Sequence, residues 1–234
     1  MSKAFRFSVL CSIALLAIPI IASADSDRED DVSRIDSAKR VFHEVMNTPD
    51  QGIPRDLLSS AKCIAIIPGS VKFAFFLGGN YGRGVATCRT ENGWSAPMFV
   101  ALDGGSVGYQ AGGSSTDIIL LFMNDHALQS LLGDKFKLGA DASVAAGPVG
   151  RNAQAGTDWK LNAEFLTYSR SKGLFAGIDL DGTVLSQNTD DTRTFYGADL
   201  PFDQVLHGNQ VTPPDARPFV HTVAHYFVVS RDNQ

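Results

Sequence analysis

Cysteine is scarce in this chain of 234 residues: Cys11, Cys63 and Cys88 are the complete set, and none stands at a C-x-x-C or other metal-type spacing. Charge is sparse too, at 19% of residues, and it leans acidic, with 20 Lys and Arg against 25 Asp and Glu. A net charge of −5 argues against nucleic acid as a partner, because phosphate backbones are met with basic surfaces. No Pro/Ser/Gly-rich linker divides the chain, and neither an internal repeat nor a low-complexity tract is found, so solenoids and tethered domain pairs are set aside. What is abundant is apolar material, 44% of the residues, enough for one sizeable core.

The first 24 residues read as a signal peptide. Lys3 and Arg6 precede an apolar run over residues 7–21 that Pro19 interrupts, and the small-residue triplet Ala22-Ser23-Ala24 leads into an acidic stretch. The run is short for a membrane span. Cys11 follows Leu10, where a lipoprotein cleavage site needs a small residue, so no lipid anchor is expected. Cleavage near Ala24 would deliver a periplasmic or secreted chain, 25–234, with 18 basic against 25 acidic residues and a net charge of −7. An oxidising compartment permits the two remaining cysteines, Cys63 and Cys88, to pair. Both lie in strand-like runs, and the sequence leaves open whether they form a disulfide or stay as buried thiols.

Apolar Val32, Ile35, Val41, Phe42, Val45 and Met46 recur at helical spacing, predicting an amphipathic N-terminal helix. A second short helix is expected with Pro54 at its first position and Leu57, Leu58 and Ala61 on one face. From Cys63 the pattern changes to β-rich runs punctuated by glycines: 63–67, 71–77, 84–89, 94–102, 106–111 and 117–123. A short helix capped by Asn124 follows, then strands at 163–168 and 174–180, and a C-terminal amphipathic helix after Pro213-Pro214 carrying Phe219, Val220, Val223, Ala224, Phe227 and Val228. The fold class is therefore α+β: a single domain whose curved or barrel-like antiparallel β-sheet is flanked by N-terminal and C-terminal helices, with a core over about 32–197 and a helical extension over about 215–230.

Several short patterns invite a catalytic reading. Asp179-Leu180-Asp181-Gly182-Thr183 matches the D-x-D-G-T loop of haloacid-dehalogenase-type phosphatases, but no lysine follows Lys172 to neutralise a phosphoryl group, and an Asp-Gly hairpin tip explains the same letters. Gly104-Gly105-Ser106-Val107-Gly108 fits a nucleophile elbow, yet the glycine-rich segment after Ser106 cannot open the helix that such an elbow needs. A hydrolase using Ser106 or Asp179 is thus a remote alternative. His221 and His225 share a helical face at ligand spacing without a third ligand or an intervening Glu, so no metal and no cofactor are expected. Gly78-Gly79-Asn80-Tyr81-Gly82-Arg83-Gly84 lacks the Lys-Ser/Thr of a phosphate loop and reads as a tight turn with Arg83 at its tip.

A series of ordered blocks resembles the SYLF domain family: Ala61-Lys62-Cys63-Ile64-Ala65-Ile66-Ile67-Pro68, Gly78-Gly79-Asn80-Tyr81-Gly82-Arg83-Gly84, Gly93-Trp94-Ser95-Ala96-Pro97, Ser115-Thr116-Asp117, the run from Leu138 through Gly147-Pro148 to Arg151, and Tyr168-Ser169-Arg170-Ser171-Lys172-Gly173. The resemblance covers about 32–197. It implies a non-catalytic module that binds membrane lipids, phosphoinositides in eukaryotic members, and actin filaments in yeast relatives. In an exported protein actin is not expected as a partner, and what transfers is recognition of anionic phospholipid or phosphoinositide-like headgroups. The family supplies no site residues, so physical reasoning chooses them. Arg55, Lys62, Lys72, Arg83 and Arg89 make residues 55–102 locally basic against Asp56 and Glu91. Within that stretch Lys72, Phe73, Phe75, Phe76 and Arg83 gather cations and aromatic rings around one hairpin, suited to phosphate and acyl chains respectively. The rival is an envelope protein-interaction or structural module with no specific lipid ligand.

Overall fold

Strands β1 (Cys63–Phe75) and β5 (Gly112–Phe122) are apolar at nearly every position over their first and last halves respectively, because the sheet that they centre is covered on both faces. Alternate residues go to opposite sides. Ile64 and Ile66 of β1, with Ile119 and Leu121 of β5, join one core cluster, while Cys63, Ala65, Ile67, Ile118, Leu120 and Phe122 join the other. This computed structural model describes residues 21–48, 52–75, 77–106, 112–133, 135–149, 163–171 and 174–231. The predicted signal segment up to residue 20, Phe76 and residues 107–111 lie outside them.

The remaining strands are β2 (Leu77–Thr90), β3 (Gly93–Trp94), β4 (Met98–Ser106), β6 (Lys135–Lys137), β7 (Val144–Ala146), β8 (Phe165–Ser171), β9 (Leu174–Gly177) and β10 (Val184–Gln187). They form one curled half-barrel sheet in the order β6-β10-β4-β2-β1-β5-β8-β7, with β3 paired to β2 and β9 to β8. All the strand pairs are antiparallel except β7 with β8. The α+β class with a curved antiparallel sheet and flanking helices is the one expected from the sequence.

One face of the sheet is packed by α1 (Ile21–Met46), α2 (Arg55–Ser60), α4 (Thr189–Tyr196) and the C-terminal helix α6 (Arg217–Arg231). Helix α1 buries Ile35, Ala38, Val41, Phe42 and Val45, a stripe at helical spacing, and α6 answers with Phe219, Val223 and Phe227. Phe42 meets the Tyr226 ring edge-on at 5.5 Å. The other face is filled by α3 (Asp125–Leu132), α5 (Phe202–Leu206) and the ends of β6 and β10. Asn124 caps α3, its side chain accepting from the Ala127 N–H at 2.8 Å, as expected from its position before the apolar run. Pro54 stands at the N-cap of α2, one place before the predicted first turn, since its extended backbone (ψ 137°) leaves the helix to begin at Arg55.

The strand boundaries differ from the sequence expectation in instructive ways. Residues 63–67 and 71–75 are not two strands: β1 runs through both, with a bulge between Ile67 and Ser70 where Pro68 removes a ladder donor and Gly69 takes φ +60°, while Leu77, at the end of the expected strand 71–77, already belongs to β2. Across from this kink, β2 comes so close that a Cβ on Gly84 would lie 2.2 Å from the Ile66 carbonyl oxygen, which only glycine permits. The expected strand 94–102 is split at Ser95-Ala96-Pro97, where the Ser95 hydroxyl accepts from the Cys88 N–H at 3.1 Å. Ser106 ends β4, the rest of the expected strand 106–111 lies outside the described residues, and β4 and β5 are no hairpin, because β2 and β1 lie between them. The Asp179–Gly182 turn is likewise no hairpin: it leads from β9, on β8, across to β10, on β4 and β6. Helices α4 and α5 had no prediction, being short and polar-flanked.

Cys63 and Cys88 are direct register partners on β1 and β2 and form a disulfide, which closes the alternative of two buried thiols.

Candidate functional site

Three of the predicted site residues, Lys72, Phe73 and Phe75, lie at one end of the sheet. Lys72 of β1 is in register with Asn80 of β2 and Ser114 of β5, Phe73 with Gly79 and Gly113, and Ala74 with Gly78 and Gly112. Phe75 pairs with Leu77 at the end of the hairpin. Beyond β2, β4 contributes Gly104, Gly105 and Ser106 to the same rows. Three strands, β2, β4 and β5, thus bring glycine, serine and asparagine to the rows that hold Lys72 and Phe73 of β1. Phe76 lies outside the described residues.

Arg83 sits further along β2, where that strand passes the bulge and α1. Its side chain is 47% exposed; Nε donates to the Tyr81 hydroxyl at 2.5 Å and Nη1 approaches Asp191 Oδ1 at 3.4 Å. The hydroxyl bond, followed by the nearby Asp191 carboxylate, holds the guanidinium more firmly charged than usual. Arg83 and Tyr81 line an open cleft of about 390 Å³ between α1 and the β1–β2 bulge, together with Arg34, Ser33, Ser37 and Gly69.

Beneath the cleft lies a charge network that sequence reasoning missed. Arg34 on α1 donates from Nη1 to Asp31 Oδ1 at 2.8 Å and to Asp191 Oδ2 at 2.6 Å, and Asn188, the cap of α4, donates to the same Oδ2 at 2.7 Å. Asp31 is 2% exposed, and its second oxygen has no hydrogen-bond partner. Burial, then the Asp191 charge, pushes its carboxyl up to about 6 against the opposing pull of Arg34. The i,i+3 spacing of Asp31 and Arg34 was a possible signal. Asp191, distant in the chain, gave none.

Asp179 accepts the Asp181 N–H at 2.9 Å within its turn, and Ser106 is in register with Gly78 at the end of β4. His221 and His225 are exposed on α6, and among the described residues no group of three or more His, Cys, Asp and Glu is gathered for a metal. Asp117, in one of the family-like blocks, accepts from the Gly69 N–H of the bulge at 2.9 Å and from Arg170 at 2.7 and 2.9 Å; Arg170 also reaches Glu44 of α1. That block therefore fastens the bulge, β8 and α1 together.

A curled half-barrel sheet with a helical layer defines the class, and comparison with known proteins names it. The family described as Ysc84, Las17-binding protein actin regulator, matches residues 103–226. An SH3 domain-containing protein of Schizosaccharomyces pombe is 37% identical over 171 residues, covering 71% of this chain and 39% of its own. SH3 domain-containing YSC84-like protein 1 of Bos taurus is 33% identical over 181 residues (76% and 53%), and Protein YSC84 of Saccharomyces cerevisiae is 35% identical over 175 (73% and 37%). The chain belongs to this Ysc84, or SYLF, family. It spans about half or less of the length of these relatives.

Proposed function

We propose that this chain is an exported, non-catalytic lipid-binding protein that meets anionic phospholipid with the glycine-rich end of its sheet. The observation that carries the reading is the strand register: Lys72, Phe73 and Phe75 occupy the end of β1, Leu77 stands opposite Phe75, and the other neighbouring positions on β2, β4 and β5 are glycine, serine or asparagine. Aromatic residues among small neighbours suit insertion between headgroups, and a cation beside them suits the phosphate. Each cation near an anionic surface contributes about 1 kcal/mol, so Lys72 and Arg83 alone give weak binding and the rings must supply the rest. Among the described residues no helix is long and apolar enough to cross a membrane, so association through this end is the form of contact proposed. Export is supported by the Cys63–Cys88 bridge, which persists in oxidising compartments.

Flotation with vesicles tests this. The chain is expected to float with phosphatidylcholine vesicles containing phosphatidylglycerol or cardiolipin, less so at high salt, and not with phosphatidylcholine alone; Lys72→Glu should reduce the floated fraction severalfold. The Las17-binding description of the family favours a second reading, a protein-interaction module. Absence of flotation with every vesicle would select it.

A further inference from the structure

Three features outside the sheet's glycine-rich end merit weighing. The buried hydroxyl of Tyr168 has no hydrogen-bond partner, but it is pressed against Gly147, where an added Cβ would lie 2.5 Å from it, leaving no room for a ligand. The Asp179–Asp181 turn is an acidic cluster whose groups serve the turn itself. The cleft beside α1 is different, because two arginines line it and a single carboxylate occupies them both.

Asp191 lies between Arg34 and Arg83, with one oxygen 2.6 Å from Arg34 Nη1 and the other 3.4 Å from Arg83 Nη1. A carboxylate held between two guanidinium groups makes the contacts that a phosphate would make. The two arginines are held unequally. Arg34 is 17% exposed and tied to Asp31 as well, whereas Arg83 is 47% exposed and its contact with Asp191 is long. Arg83 also keeps its orientation without Asp191, through the bond from Nε to the Tyr81 hydroxyl. The Ser33 and Ser37 side chains, on the α1 side of the cleft, add hydroxyl groups.

We propose that this cleft is a phosphate site which Asp191 fills in the free protein, and that a phosphate-bearing ligand takes Arg83 from it. The ligand chemistry is a phosphate mono- or diester; its source, a lipid headgroup or a free phosphate, is what experiment must separate. The lipid source rests on the function proposed above, with the cleft joined through β1 and β2 to the end of the sheet that meets the bilayer.

Charge makes the site latent near neutral pH. The groups that face one another are Asp31 and Arg34 on α1, Asp191 on α4 and Arg83 on β2, with Asp30 at the rim, so three carboxylates oppose two guanidinium groups. Protonation of Asp31, whose carboxyl is pushed up to about 6, balances them and favours an incoming anion.

The test uses the folded full chain as wild type, Asp191→Asn and Arg83→Gln, at about pH 5 and about pH 8, with phosphatidylcholine vesicles with and without phosphatidylglycerol. Inorganic phosphate is a second probe, read as a shift in melting temperature. Asp191→Asn is expected to bind about fivefold tighter at pH 8, the effect of one charge at an anionic surface, and wild type to gain as much on acidification. Arg83→Gln should show no gain on acidification. A melting shift with inorganic phosphate, or its competition with the vesicles, would assign the site to free phosphate as well; vesicle binding without either would assign it to lipid. If wild type floats and both variants float equally well at both pH values, the cleft is not the site while lipid binding stands. If no form floats and phosphate leaves all melting temperatures unmoved, both readings fall.

Discussion

At the residue scale, Asp31 is the position where structure and chemistry pull against each other. It is buried on the core side of α1, yet Arg34 satisfies only one of its oxygens. Since burial raises its carboxyl to about 6 from 3.8, the folded chain keeps a proton that the unfolded chain has lost across that interval. Its contribution to stability is therefore complete below about pH 4 and lost as pH rises through 6. Asp31→Asn should flatten this dependence and stabilise the protein near pH 8 by on the order of 1–3 kcal/mol, read from melting curves across pH. A variant less stable than wild type at pH 8 would show that the Arg34 ion pair outweighs the cost of burying the charge. Single residues were unevenly legible in the sequence. Asn124 announced its cap, because a cap depends on neighbours in the chain, whereas Arg83, expected at the tip of a tight turn over 78–84, lies inside β2, where β1 and β4 pair with it on either side. Asp191 could announce nothing, because it lies 157 residues from Arg34 and its role exists only once α4 packs beside α1.

At the element scale, the amphipathic spacing of α1 and α6 predicted both helices, and the clusters of Val and Ile located the central strands. What the sequence pattern concealed was continuity. Pro68-Gly69 reads as a break but is a bulge inside β1, since Gly84 lets β2 close up against the kink and keep the ladder intact on either side. Conversely, Ser106 reads as the start of a strand over 106–111 but is the end of β4, and β2 and β1 lie between β4 and β5 in the sheet. The pairing of β1 with β2 is also covalent. Cys63 and Cys88 are 25 positions apart, so removing their bridge by Cys63→Ala with Cys88→Ala should cost about 3.5 kcal/mol in the chain-entropy account. Urea unfolding of the double variant measures it. A cost near zero would mean that the strand ladder and buried flanks already hold the pair without help.

At the scale of the whole molecule, the arrangement is asymmetric. Helices cover one face of the curled sheet, shorter elements fill the other, and the ends of β1, β2, β4 and β5 bring glycine and serine together around Lys72, Phe73 and Phe75. The composition of this end was visible in the sequence. Its width was not, because four strands separated by up to some forty positions meet there only through the sheet order. The central claim, that this end of the sheet enters an anionic bilayer, is tested most directly by Phe75→Trp and its fluorescence upon addition of phosphatidylglycerol-containing vesicles. The account predicts an emission shift to shorter wavelength, and quenching by brominated acyl chains, beyond any change that the native Trp94 and Trp159 show in wild type. A variant that floats with the vesicles while its added tryptophan reports unchanged water exposure would contradict it, and would place the membrane contact on another face of the protein.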